Sequence, residues 1–119
     1  MMRSSLLPEI FFDESVDSSG LELFQNQHLR AILKYQNDYL NLLVLDCCKQ
    51  MNPNLSNLPQ KERNRFIRQT IQNNQALRNQ CVGLIVSFLE LDQFTWYLNH
   101  KTDCNKRILQ MVEKRVLKD

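Results

Sequence analysis

Residues 57–96, NLPQKERNRFIRQTIQNNQALRNQCVGLIVSFLELDQFTW, hold the longest unbroken helical period of the chain. Ile67, Ile71, Asn74, Leu77, Cys81, Ile85, Phe88 and Asp92 recur at spacings of three or four, which puts them on one stripe of a helix turning every 3.6 residues. Only Asn74 and Asp92 are polar in that stripe. Through residues 81–91 the apolar character spreads to other faces with Val82, Leu84, Val86, Leu89 and Leu91. A helix that is apolar nearly all round must be enclosed by protein. The four amides Gln72, Asn73, Asn74 and Gln75 have middling helix propensity, so a break there stays open, although the preserved stripe argues for continuity. Gly83 costs about 1 kcal/mol against alanine in a helix interior, and close approach of another helix backbone is the expected offset.

On the N-terminal side, Leu29, Leu33, Gln36, Leu40, Leu43 and Cys47 form a second stripe, opposed by polar Arg30, Lys34, Asn37 and Asn41. The pattern predicts an amphipathic helix of about 30 residues, starting near Leu21 with Ser18 or Ser19 as cap. Leu42, Leu43, Val44 and Leu45 are apolar on all sides, so its C-terminal half should be the better buried. Asn52 and Pro53 should end it. Residues 52–58 are turn chemistry with Leu55 and Leu58 placed to plug the end of a bundle. Asn57 is then the expected cap of the second helix, with Pro59 in its first turn. Further along, Ile108, Val112 and Val116 line a last helix, flanked by Lys106, Arg107, Lys114 and Arg115, with Thr102 or Asp103 as its cap.

The 119 residues suffice for one domain with a core. With two glycines and three prolines the chain lacks the turn residues of an all-β domain. Residues 1–20 carry one basic and four acidic side chains, residues 21–60 three of each, and residues 61–119 eleven basic and six acidic. No signal-peptide pattern opens the sequence, and the apolar run at 81–91 is about half of a bilayer crossing. A soluble intracellular chain is expected, with its four cysteines as thiols.

The side chains that could carry chemistry do not gather in the sequence. Adjacent Cys47 and Cys48 point about 100° apart on a helix, and His100, four before Cys104, makes the one short Cys/His spacing. No local signature marks a cysteine nucleophile, and glycines only at Gly20 and Gly83 allow no phosphate loop. No catalytic residue, metal ligand or cofactor is therefore assigned. Lys61, Arg63, Arg65 and Arg68 fall at the start of the second helix, with Arg78 farther along it. Such a cluster fits nucleic acid or an acidic partner, although cations at a helix N-terminus oppose its dipole.

Two stretches favour a protein interface. Leu7, Ile10, Phe11 and Phe12 lie among acids in a Ser-rich segment and read as a docking motif, either for a partner or for this domain's own helices. Trp96 and Tyr97 are of the types enriched at binding hot spots, and as neighbours they cannot both be fully enclosed in a small bundle. The sequence thus predicts an all-α antiparallel bundle of three to four helices over residues 21–119, preceded by a disordered tail over residues 1–20. The apolar helix faces look wider than so few helices can cover. Binding to another helical protein, or self-association, follows as the expected function of a non-catalytic adaptor or small subunit. Nucleic-acid association through the basic cluster is the alternative, and no membrane is expected.

Overall fold

The computed structural model describes residues 20–117, so the expectations for the tail, with Leu7, Ile10, Phe11 and Phe12, lie outside the described residues. Every regular element within them is helical. Six helices stand where three to four were expected. The first, α1, spans residues 20–35 and consists of Gly20–Phe24, a wide π turn Gln25–Leu29, and Arg30–Tyr35. It is followed by α2 (Asn37–Met51), α3 (Gln60–Asn73), α4 (Gln75–Val86), α5 (Leu91–Asn99) and α6 (Lys101–Val116).

The first long helix of the sequence reading is divided at Gln36, and the period expected to run unbroken over residues 57–96 is divided at Asn74 and again at residues 87–90. Gln36 separates α1 from α2, with φ −92° and ψ 8°, and it is 6% exposed. Its Nε2 donates to the Leu84 carbonyl at 3.0 Å. That carbonyl needs such a donor, because α4 tightens as it ends: Ser87 N bonds Gly83 O and Phe88 N bonds Ile85 O, passing over Leu84. A buried carbonyl without a donor is costly, and Gln36 supplies one across 48 residues of sequence.

Asn74 makes the second division, and the continuity that the stripe argued for does not hold. Its backbone leaves the helix at φ −91° and ψ 101°. Its Oδ1 accepts from Leu77 N at 3.0 Å and so caps α4. Arg78 Nη1 reaches back to the Ile71 and Gln72 carbonyls, which the end of α3 leaves open. The stripe survives the break because Ile67 and Ile71 on α3, and Leu77, Cys81 and Ile85 on α4, are all buried in one core. Periodicity fixed which residues face inward, and a one-residue pause changed the helix direction without moving them out.

Other boundaries shift by a few residues. Asn52 terminates α2 as expected, its N–H bonding Cys48 O, and Leu55 is buried in a 3-10 turn, Leu55–Asn57, that closes this end. Asn57 sits inside that turn, and Pro59 takes the cap position of α3. Glu90 and Gln93 form a reciprocal capping box that starts α5. The last helix begins at Lys101 with His100 before it, ahead of the expected Thr102 or Asp103.

α2 packs against α3, α4 and α6, and α6 also contacts α4, α5 and the π turn of α1. Val44 and Cys48, Cys81 and Ile85, and Ile108 and Val112 are fully enclosed where α2, α4 and α6 meet. Gly83 is exposed, and a Cβ built on it meets nothing within 4 Å. No neighbouring backbone explains that glycine, contrary to expectation. Among the described residues no helix is long and apolar enough to cross a membrane.

Candidate interaction surfaces

The first candidate surface is the outward face of α2 with the end of α1. On a helix with Leu40, Val44 and Cys48 buried, residues 38, 39, 42 and 46 must turn to the opposite side. Tyr39 and Leu42 are accordingly 63% and 69% exposed, and Tyr35, one turn earlier, is 48% exposed. Tyr35 leans on Phe88 with ring centroids 5.3 Å apart. Asp38 and Asp46 border this apolar stripe, both exposed. The expectation that residues 42–45 are all enclosed is therefore corrected: Val44 is buried, Leu43 and Leu45 are half-buried, and Leu42 stands in the open. Three neighbours packed on one side of α2 leave its other side uncovered.

Trp96 and Tyr97 are not both fully enclosed, as expected. Tyr97 is 3% exposed and donates its hydroxyl to Asn105 Oδ1 at 2.6 Å, so its side chain belongs to the packing of α5 on α6. Burial raises its phenol above the ordinary value, against the opposing effect of the Asn105 hydrogen bond. Trp96 is half-buried between two rings, with Phe24 at 4.4 Å and His100 at 3.8 Å, both stacked. Its indole ties the start of α1 to α5, and Gly20 lies beside it. Adjacent residues point apart, as expected, but a sixfold set of helices offers each of them a neighbour.

The basic cluster is divided by helical rotation, with Lys61, Arg65 and Arg68 on one exposed face of α3 and Arg63 and Arg78 apart from it. Lys61 and Arg65 are exposed on α3 and Arg63 is half-buried on another face. Arg68 Nε meets Glu113 Oε1 at 3.1 Å, pinning α3 to α6, and Arg78 is occupied by helix-end carbonyls. Beyond Arg65 on α3, a groove of about 480 Å³ opens over Met51 and Phe66 between Thr70 and the amides Gln69, Asn73, Asn74 and Gln75. Asn74 Nδ2 points to Cys47 Sγ at 3.6 Å at its edge.

A second set of cations was not legible as a group, because its members lie at opposite ends of the chain. Arg30 from α1 and Arg107, Lys114 and Arg115 from α6 meet along the seam where these helices approach. Two adjoining grooves of about 430 and 190 Å³ run along it, sharing Met111 and Lys114. Amphipathic patterning showed Arg30 and Arg115 on polar faces, but only the packing of α1 on α6 brings those faces together.

Among the thiols, Cys48, Cys81 and Cys104 are buried and Cys47 is half-buried. Burial pushes Cys81 and Cys104 up to about 11, and Cys48 rises for the same reason although Thr70 hydrogen-bonds it. Among the described residues no three His, Cys, Asp or Glu side chains gather as a metal site. Comparison of the chain with family models, with curated proteins and with solved structures finds no match.

Proposed function

We propose that this chain is a non-catalytic protein–protein interaction module, an adaptor or small helical subunit of an intracellular assembly, whose docking face is the Tyr35–Tyr39–Leu42 stripe. The observation that carries this reading is Leu42: the most apolar part of α2, otherwise covered by three helices, leaves a leucine 69% exposed one turn after the exposed Tyr39. Tyrosines contribute large contact area at low entropic cost, as at hot spots. The occupant is an amphipathic helix of a different protein, its apolar face flanked by Lys or Arg. The charge pattern supports this choice over a second copy. Antiparallel pairing of two α2 helices centred on Leu42 places Asp38 of one copy against Asp46 of the other, and like charges in register are unfavourable.

The probe is a synthetic helix with a leucine stripe edged by lysines, titrated into the full chain. Binding to the native protein and its loss in Leu42→Asp, with helicity unchanged, is the expected result. A native chain that ignores the peptide, or a Leu42→Asp variant that binds equally well, refutes the assignment. Light scattering that shows a dimer abolished by Leu42→Asp replaces the foreign helix by a second copy. The nucleic-acid alternative has less to support it, since Arg68 and Arg78 are committed to Glu113 and to helix-end carbonyls.

A further inference from the structure

The α1/α6 seam is distinguished by how its cations are held. Arg30 Nε donates to Asn26 Oδ1 at 2.8 Å, Arg107 Nη1 to Gln25 Oε1 at 3.0 Å, and Arg115 Nη1 to Asn37 Oδ1 at 3.3 Å. Each guanidinium is oriented by a neutral amide oxygen. No carboxylate of the described residues lies within 4.0 Å of Arg30, Arg107, Lys114 or Arg115. The acids on α6 are Asp103, one turn before Arg107, and Glu113, which lines the wider groove and is paired with Arg68. An amide fixes the direction of the arginine fork without cancelling its charge. Carboxylate partners would have done both, as Glu113 does for Arg68. Arginine held in this way retains free N–H donors suited to a carboxylate.

Met111 lines both grooves and Leu33 the narrower one, while Gln25, Gln110 and Glu113, the last held by Arg68, complete the wider one. From Arg107 to Arg115 the helix advances about 12 Å, the length of roughly four residues of extended peptide. No aromatic side chain lines either groove, so bases would find no stacking platform of the kind that single-strand binders use.

We propose that the α1/α6 seam binds a short acidic segment of a partner polypeptide, its Asp or Glu carboxylates meeting Arg30, Arg107, Lys114 and Arg115 and an intervening apolar side chain resting on Met111. The surface is separate from the α2 stripe, and a chain could use both on one partner.

The test is fluorescence anisotropy of the full chain with a labelled peptide of glutamates interspersed with leucine, its glutamine counterpart, and a single-stranded oligothymidylate. The glutamate peptide binds and the glutamine peptide does not. Arg30→Gln and Arg115→Gln each weaken binding by roughly threefold to tenfold, whereas Lys61→Gln and Arg65→Gln leave it unchanged. Asn37→Leu preserves every charge but removes the acceptor that orients Arg115, and it also weakens binding. Unchanged helicity and thermal midpoint accompany each variant. Four results overturn the proposal: no binding to the native chain; equal losses at Lys61 and Arg65; tighter binding of the oligothymidylate that is lost in Arg30→Gln; or peptide binding that emerges only when Asp13→Asn, Glu14→Gln and Asp17→Asn are introduced together. The last outcome assigns the seam to the chain's own acidic residues. Because the stripe is probed by a lysine-edged peptide and by Leu42→Asp, failure at the seam leaves that reading standing, and the converse holds.

Discussion

Gln36→Leu removes the amide that holds the α1–α2 bend while keeping side-chain volume nearly constant. In the native chain this side chain is buried, and its Nε2 lies 3.0 Å from Leu84 O. A hydrogen bond of this kind is worth about 0.5–1.5 kcal/mol net, and a buried acceptor left without a donor costs about 1–3 kcal/mol. Since no helical N–H serves Leu84 O, the larger range applies, reduced by the apolar burial that leucine gains. The expected loss is about 2 kcal/mol, which for a domain of this size lowers the thermal midpoint by about 8 °C. Urea unfolding followed by circular dichroism measures it, with an unchanged slope showing that the unfolded state is not altered. Gln80→Leu, an exposed amide on α4, is the control and stays within about 0.5 kcal/mol of the native chain. Near-ultraviolet circular dichroism adds a local readout, because a relaxed bend separates Tyr35 from Phe88. If Gln36→Leu proves as stable as the control, Leu84 O does not depend on Gln36 and the account of the bend is wrong.

Gly83→Ala is expected to stabilise the protein by about 0.5–1 kcal/mol, since the site is helical and open; a destabilised variant in the same urea assay would show that something occupies that face. Asn74→Ala loses the cap on α4 and costs about 1 kcal/mol, measured in the same way; no loss would mean that α3 and α4 can join into one helix. His28 is held below its ordinary value of 6.5, chiefly by burial and against the attraction of Asp92. Its unfolded form therefore takes up a proton before the folded form does, and its contribution, complete above about pH 6.5, declines as the pH falls further; His28→Gln should flatten that part of the stability profile. A thiol reagent should modify Cys47 rapidly and Cys48, Cys81 and Cys104 only on unfolding, and rapid native labelling of more than one thiol would contradict the burial described.

The inward stripes were legible before any coordinates, because burial at three- and four-residue spacing is a property of helix geometry alone. Ile67, Ile71, Leu77, Cys81, Ile85, Ile108, Val112 and Val116 are all buried where periodicity put them, whereas beyond Leu40 the first stripe shifts by one residue, burying Val44 and Cys48 and leaving the expected Leu43 and Cys47 half-buried. The divisions at Gln36 and Asn74 were not legible as divisions. Both polar residues keep the stripe's spacing, and each also has a partner far along the chain, Leu84 O for Gln36 and the Cys47 thiol for Asn74, beside the local cap that Asn74 gives Leu77 N. Gly83 misled for the same reason in reverse, since its apolar neighbours along the chain lie on different faces of α4.

The candidate surfaces divide along the same line. Residue type alone marked Trp96 and Tyr97 as binding candidates, and packing then set them apart, the phenol buried against Asn105 and the indole half-buried between Phe24 and His100. Composition likewise grouped Lys61, Arg63, Arg65 and Arg68 by nearness in sequence; helical rotation keeps Lys61, Arg65 and Arg68 on one face of α3 and turns Arg63 to another, and packing pairs Arg68 with Glu113. The amphipathic pattern by itself determined a helical chain and which residues enclose its core. Which apolar residue stayed outside, Leu42, and which cations met, Arg30 with Arg107, Lys114 and Arg115, depended on how many helices formed and which packed together. Local periodicity reports the side a residue faces on its own helix; only long-range packing settles what, if anything, stands opposite.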